Sequence, residues 1–117
     1  MILYDRGGTP LAYSEDDECI YLFSGKPVAF FKSDTIYIFS GKQLGRFNDG
    51  WVRDIKGQCV FFTENASCSG PIKPIKSITP IKGVKGIKPV KPITSVPSVK
   101  AVDSLSWSEL SGMVFFQ

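Results

Sequence analysis

Six lysines of one short tract are the residues with the clearest capacity to bind a ligand. They recur at intervals of three or six within residues 71–103, as Lys73, Lys76, Lys82, Lys85, Lys88 and Lys91. A row of ammonium groups attracts polyanions, so the tract is a candidate site for nucleic acid or an anionic membrane surface. The alternative is that these lysines form the solvated face of a strip packed against the rest of the chain.

The remaining residue types offer little for catalysis. The chain has no histidine, which is the commonest general base near neutral pH and the commonest metal ligand. Cys19, Cys59 and Cys68 lack C-x-x-C spacing, which favours free thiols in a reducing cytoplasm. The acidic run 15–18 lacks the ligand spacing of a calcium loop and is better interpreted as a solvated turn. We therefore expect no catalytic residue, no metal site and no cofactor.

Charge is distributed unevenly along the chain. Residues 1–70 carry a net charge of −2 and residues 71–103 a net charge of +6. A basic tract after an acidic segment predicts that the tract contacts either that segment or an external polyanion. No secretory signal is visible at the N-terminus, and no apolar run reaches the roughly 18–20 residues that span a bilayer. These features predict a cytoplasmic protein without a transmembrane segment.

Four repeats that we interpret as β-hairpins make up the first 70 residues. In register they read ILYDRGGTPLAYSEDDE, CIYLFSGKPVAFFKSD, TIYIFSGKQLGRFNDG and WVRDIKGQCVFFTEN. Each has a glycine with one aliphatic residue five positions before it and another three positions after it. The glycines are Gly8, Gly25, Gly41 and Gly57, and the aliphatic pairs are Leu3 and Leu11, Ile20 and Val28, Ile36 and Leu44, and Val52 and Val60. β-Branched and aromatic residues favour strands, and glycine permits the positive φ of a tight turn.

One slot of the repeat differs in the last unit. It holds Tyr4, Tyr21 and Tyr37 in the first three units and Arg53 in the fourth. A single hairpin cannot bury its apolar face alone, so we expect the four to share one core. The simplest arrangement is an all-β fold with pseudo-fourfold symmetry and the paired aliphatic residues directed inward.

The repeated Y-x-x-x-G units and the (Pro/Gly)-(Ile/Val)-Lys tract after them resemble the bacterial family described as the four-fold β-flower. The resemblance implies a flower-like arrangement of hairpins over most of the chain. It implies no activity. We divide the chain into a four-hairpin β domain at residues 1–70, the tract at residues 71–103, and an apolar C-terminal segment at residues 104–117.

The tract falls into eleven triplets with a strict pattern. The first slot is Pro, Ser, Gly or Ala, the second is always Ile or Val, and the third is usually Lys. A period of three matches the polyproline II helix. Because a solvated linker has no reason to keep eleven aliphatic residues in phase, we expect the tract to dock with its Ile/Val stripe as part of the core. Its length predicts that it folds back, near Gly83, Gly86 or Pro97, or lies on a neighbouring chain.

The C-terminal segment combines several large apolar residues with a helix signal. Ser106 and Glu109 match a capping box, and Gly112 is a candidate helix end. We expect this segment to pack on the core or on a second copy, so the chain itself is a candidate partner through residues 71–117.

The sequence supports three hypotheses about function. The leading one is a non-catalytic structural or protein-interaction module, because strong fold determinants stand beside an absence of catalytic groups. The second is binding of nucleic acid or an anionic surface through the tract lysines. The third is a small-molecule or enzymatic site at the centre of the flower, since repeat architectures often bind ligands on their axis.

Overall fold

The computed structural model describes residues 1–117 and contains eight antiparallel strands joined into a closed barrel. The strands are β1 (Ile2–Tyr4), β2 (Pro10–Tyr13), β3 (Cys19–Leu22), β4 (Pro27–Lys32), β5 (Thr35–Ile38), β6 (Gln43–Asn48), β7 (Trp51–Asp54) and β8 (Cys59–Phe62). Each strand pairs with its neighbour in sequence, and β8 pairs with β1 through Tyr4 and Phe62 alone. The four predicted hairpins are therefore confirmed, and they close into one ring.

The barrel interior is built in sets of four equivalent residues. Leu3, Ile20, Ile36 and Val52 are fully buried, as the repeat predicts. A second set has three small members, Ala12, Ala29 and Gly45, and one large one, Phe61. Because space inside a closed barrel is fixed, the three small residues leave room for the single phenyl ring. Of the second predicted aliphatic set, Leu44 and Val60 are buried, whereas Leu11 and Val28 are only partly buried.

The C-terminal segment is part of this core. Its only helical element is a 3₁₀ helix at Met113–Phe116, which begins after Gly112. The predicted helix, with Ser106 and Glu109 as its capping box and Gly112 as its end, was therefore wrong, because residues 109–112 form a turn and Gly112 precedes the helix. The chain there forms a parallel bridge between Trp107 and Cys59 instead. Phe115 is 3% exposed and packs edge-on against Phe61, at 5.7 Å between ring centroids.

The same segment also connects the ends of the ring. The Ser111 hydroxyl donates to the Val60 carbonyl oxygen and accepts the N–H of Arg6, from the first hairpin. The seam between β8 and β1 has little strand pairing of its own, so this segment strengthens the closure of the barrel. No helix of the protein has the length and apolar character to cross a membrane.

Candidate functional site

Residues 71–103 form no helix or strand and follow the outside of the ring from the first hairpin to the fourth. The tract donates a backbone N–H to the turn glycine carbonyl of every hairpin in order. The bonds join Ser77 to Gly8, Gly86 to Gly25, Ser95 to Gly41, and Ser104, just past the tract, to Gly57, at 2.8–3.0 Å. The donors lie nine residues apart, so three triplets match one hairpin.

The dimensions of the molecule explain this match. Nine extended residues at about 3.1 Å each span about 28 Å. That length is a quarter of the circumference of a disc about 35 Å across, and the molecule measures 36 × 35 × 21 Å. The expected fold-back at Gly83, Gly86 or Pro97 and the alternative of a neighbouring chain were therefore wrong. The tract uses its length by encircling its own barrel.

The first slot of the triplet faces the hairpins, and its residue types follow from that position. Proline lacks an N–H, so a proline in this slot cannot donate a hydrogen bond to the barrel. Of the six non-proline residues in this slot, Ser77, Gly83, Gly86, Ser95 and Ser98 donate their N–H to the barrel, and only Ala101 does not. The choice between proline and a small residue thus sets where the tract is fastened.

The turn glycines have a second role besides their backbone conformation. Each has a positive φ, between 81° and 98°. A Cβ atom at Gly8, Gly25, Gly41 or Gly57 would also overlap a carbonyl oxygen of the tract, that of Ile75, Val84, Ile93 or Val102 respectively. Glycine therefore permits both the hairpin turn and the approach of the encircling chain.

We predict that Gly25→Ala detaches the second quarter of the tract and lowers stability by about 1–3 kcal/mol, because it combines backbone strain with a clash at the Val84 carbonyl. Amide exchange at Gly86 and a thermal melt measure the two effects. Gly7→Ala is the matched control, because the φ of Gly7 is not positive and its Cβ would only touch the Asp5 carboxylate. Equal behaviour of the two variants would contradict this role for the turn glycine.

The second slot of the triplet points away from the protein. All eleven Ile and Val side chains are 89–98% exposed, and we call this continuous row the aliphatic belt: Ile72, Ile75, Ile78, Ile81, Val84, Ile87, Val90, Ile93, Val96, Val99 and Val102. The expectation that the stripe is core was wrong. The physical reason is that the strip is held through its backbone and its small residues, which leaves the aliphatic stripe as the outer face.

The third slot turns back over the barrel wall. Three of the six candidate anion-binding lysines meet carboxylates: Lys82 and Lys85 contact Glu15, and Lys88 contacts Asp16. Lys73 donates to the Ala66 carbonyl oxygen at 2.7 Å. The ammonium groups of Lys76 and Lys91 lie over the rings of Tyr4 and Phe30, at 5.5 and 5.7 Å from the ring centroids. All six candidate lysines therefore contact the chain's own residues.

The acidic turn after β2 is the main electrostatic attachment of the tract. Hydrogen bonds from Lys85 and Lys82 lower the pKa of Glu15. A hydrogen bond from Lys88, with the N–H of Cys19, lowers the pKa of Asp16. The same contacts raise the pKa of Lys85 and of Lys88. The run that could have suggested a calcium loop thus has cationic partners within the chain.

We predict that acid loosens this attachment. Because the pKa values of Glu15 and Asp16 are lowered on folding, their contribution is complete above the usual carboxyl range near pH 4 and is lost as the pH falls through the folded values. Amide protection at Gly86, corrected for intrinsic exchange, should decline below about pH 4. Protection at Ser95 should persist, because no tract residue between Lys88 and Lys100 forms an ion pair. A parallel decline at both amides would contradict the prediction.

An arginine pair breaks the fourfold symmetry of the wall. At three junctions between hairpins the facing residues are aromatic: Tyr13 with Tyr21, Phe30 with Tyr37, and Phe62 with Tyr4. At the fourth junction Arg46 faces Arg53. The sequence placed Arg53 in the tyrosine slot but did not reveal this pairing, which becomes visible only when Arg46 is aligned with Tyr13, Phe30 and Phe62.

Arg53 fastens the end of the tract. Its side chain is 3% exposed and donates to the carbonyl oxygens of Gly57, Ser69 and Ser104 at 2.6–2.9 Å. The Asp103 carboxylate lies 3.4 Å from its Nε atom. Tyr37 makes the equivalent contact one quarter earlier, where its hydroxyl donates to the Ser95 carbonyl oxygen. The arginine thus replaces one hydrogen bond with several, where the tract leaves the ring.

The cysteines, the possible metal ligands and the main cavity show no arrangement that points to a reaction. Burial raises the pKa of the Cys59 thiol to about 11 and also raises that of Cys19. No group of three or more His, Cys, Asp or Glu side chains is close enough to hold a metal ion. A cavity of about 650 Å³ lies between the third and fourth hairpins and the C-terminal segment. Asp54 and Glu109 are the carboxylates that line it, and Asp54 accepts hydrogen bonds from the Ser108 hydroxyl and from the N–H groups of Lys56 and Gln58.

The comparison with known protein families agrees with this architecture. The family described as "4-fold beta flower protein" matches residues 1–116. The chain belongs to the 4-fold beta flower family. Neither the curated proteins nor the solved structures contain a significant match. Because the family match includes residues 71–103, the encircling tract belongs to the beta flower together with its four hairpins.

Proposed function

We propose that this beta flower protein is a non-catalytic interaction module whose docking surface is the aliphatic belt. One observation carries the proposal: eleven Ile and Val side chains are 89–98% exposed on a strip fastened at every hairpin. Exposed apolar patches of more than a few hundred Å² mark interaction sites in soluble proteins. Burial of one Ile or Val side chain contributes about 1.5–3 kcal/mol, at about 25 cal/mol per Å² of apolar surface. The eleven side chains of the belt therefore correspond to roughly 700–1,300 Å² of apolar surface.

The way the strip is held supports docking. A flexible tail would lose conformational entropy whenever its aliphatic residues met a partner. Here the backbone bonds to the four hairpins hold those residues in place beforehand. A partner that covers six of them would gain roughly 9–18 kcal/mol before the losses of association. The aliphatic side chains of the belt are therefore held on an ordered backbone before a partner binds.

The proposal is tested on a hydrophobic-interaction column with a variant that makes the belt polar. Threonine replaces the six aliphatic residues that lie between the contacts of the tract with the turn glycines: Ile78, Ile81, Ile87, Val90, Val96 and Val99. Threonine keeps the β-branch, and the exposed positions leave the fold intact, so the variant is expected to melt near the wild type and to elute much earlier. Ile78→Val, Ile81→Val and Ile87→Val form the matched control, which should elute close to the wild type. Equal retention of wild type and threonine variant would overturn the proposal.

Anion binding through the tract lysines is the second candidate. The observation in its favour is that Lys76 and Lys91 meet aromatic rings and no carboxylate, so their charge is not neutralised within the chain. Retention on an immobilised polyanion, measured against salt, tests it. Lys76→Gln with Lys91→Gln should weaken retention more than Lys26→Gln with Lys42→Gln in the hairpin turns. Equal effects would indicate attraction by net charge alone.

We further propose a cytoplasmic location and a polyproline II conformation for the tract. Three free cysteines, two of them buried, support a reducing compartment. The strict period of three and the proline content support the conformation. Cell fractionation tests the first proposal. Backbone NMR chemical shifts and scalar couplings of residues 71–103 in the full chain test the second, because polyproline II has φ near about −75° and ψ near about +145°.

A further inference from the structure

We propose that the partner of the aliphatic belt is a second copy of this chain, docked edge to edge. This inference rests on the proposed function and names its partner. The contacts of the tract with the four turn glycines divide the belt into three similar edges, at residues 75–84, 84–93 and 93–102. Each edge carries one pair of aliphatic side chains between two turn-glycine contacts: Ile78 with Ile81, Ile87 with Val90, and Val96 with Val99.

The spacing of the side chains favours a second copy over an unrelated surface. Successive aliphatic residues are three positions apart, which is about 9 Å along an extended strip. A second belt has the same interval, so its side chains fit into the gaps of the first when the two strips run antiparallel. Such a contact is isologous, because each copy uses the same patch. An unrelated surface without this interval would leave part of the belt uncovered.

The charges of the tract also permit this contact. The lysines that alternate with the belt turn back onto the barrel, where Glu15 binds two of them and Asp16 binds a third. They are therefore directed away from the opposing strip, and Glu15 and Asp16 neutralise two of the positive charges of the tract within each copy. Sulfate should strengthen the contact, because it favours apolar burial and screens the remaining charge.

The shape of the molecule sets the kind of assembly. The belt lies on the convex edge of a disc, so one neighbour covers one edge and leaves the others free. Three edges per copy allow growth beyond a dimer. The interval between the fourth and first hairpins carries a single belt residue, Ile72, at the start of the tract, where Lys73 donates to the Ala66 carbonyl oxygen. Each contact is small, so association should be weak and dependent on protein concentration.

Sedimentation velocity over a concentration series, with and without ammonium sulfate, tests the inference. The wild type should grow beyond a dimer as concentration and sulfate increase. The variant with threonine at all six positions, Ile78, Ile81, Ile87, Val90, Val96 and Val99, should remain a monomer. A variant that keeps only Ile87 and Val90, with threonine at the other four positions, should stop at a dimer. The valine variant of the three isoleucines serves as the matched control and should assemble like the wild type.

Each contrary result has a definite meaning. A wild type that stays monomeric up to about 1 mM in sulfate would overturn self-association. Retention of that monomer on the hydrophobic column would still support the belt as a docking surface for a different partner. Growth of the all-threonine variant, or growth of the single-edge variant beyond a dimer, would place any assembly surface elsewhere and would also overturn the inference.

Discussion

Replacing Arg53 with methionine should lower the free energy of unfolding by about 3–5 kcal/mol. The Arg53 side chain is 3% exposed, and methionine would remove its hydrogen bonds to the carbonyl oxygens of Ser69 and Ser104. The Gly57 carbonyl oxygen would keep only the Ser104 N–H as its donor. Asp103 would keep only its contact with Lys100. Chemical denaturation measures the loss, and amide exchange at Ser104 should show that the end of the tract has been released.

Arg46→Met is the matched control for this prediction. Arg46 faces Arg53 across β6 and β7, but its side chain is 17% exposed and its partner Asp34 is 53% exposed. Its loss should lower stability by only about 1–2 kcal/mol. If the free energies of unfolding of the two variants differ by less than about 1 kcal/mol, Arg53 does not have the proposed role of holding the end of the tract.

Truncation after Gly70 should abolish cooperative folding. The four hairpins alone are near the lower size limit of autonomous stability. Removing residues 71–117 also takes Phe115 from the core, Trp107 from beside Trp51, and the Ser104 carbonyl and Asp103 carboxylate from Arg53. The expected product is an aggregated or molten chain without sharp side-chain resonances. A cooperative melt at the temperature of the full chain would contradict this prediction.

A shorter truncation separates the tract from the C-terminal segment. The sequence predicts that residues 1–103 stay soluble and that the segment 107–116 affects mainly the oligomeric state. The structure gives a different expectation, because Phe115 is 3% exposed in the core. Residues 1–103 should therefore lose about 3–5 kcal/mol, as should Phe115→Ala. Met113→Ala, in the same 3₁₀ helix but 44% exposed, is the control and should have little effect.

The barrel could be predicted from the sequence because its determinants are local. A glycine with aliphatic residues at fixed offsets defines each hairpin, and Leu3, Ile20, Ile36 and Val52 are buried where the repeat places them. The fate of Phe115 was not predictable in the same way. Its place beside Phe61 depends on the small residues Ala12, Ala29 and Gly45, whose shared slot matters only once the barrel is closed.

The orientation of the tract could not be read from its period. A repeat of three defines three stripes but does not state which stripe faces the protein. Burial of the aliphatic stripe is the usual outcome, but here backbone hydrogen bonds and turn glycines hold the strip from its small-residue side. A signal was nevertheless present: non-proline residues at Ser77, Gly86, Ser95 and Ser104 recur every nine positions, and only such residues can donate an N–H.

Amide hydrogen exchange along residues 71–104 tests the central claim, that the tract is a strip fastened by its backbone with its aliphatic residues outward. Protection should occur at Ser77, Gly83, Gly86, Ser95, Ser98 and Ser104, whose N–H groups bond to the barrel. The amides of the belt residues, such as Ile78 and Ile87, should exchange near the rate of an unstructured peptide. Uniformly fast exchange would show a solvated linker, and protection centred on the Ile and Val amides would show a buried stripe; either result would contradict the account.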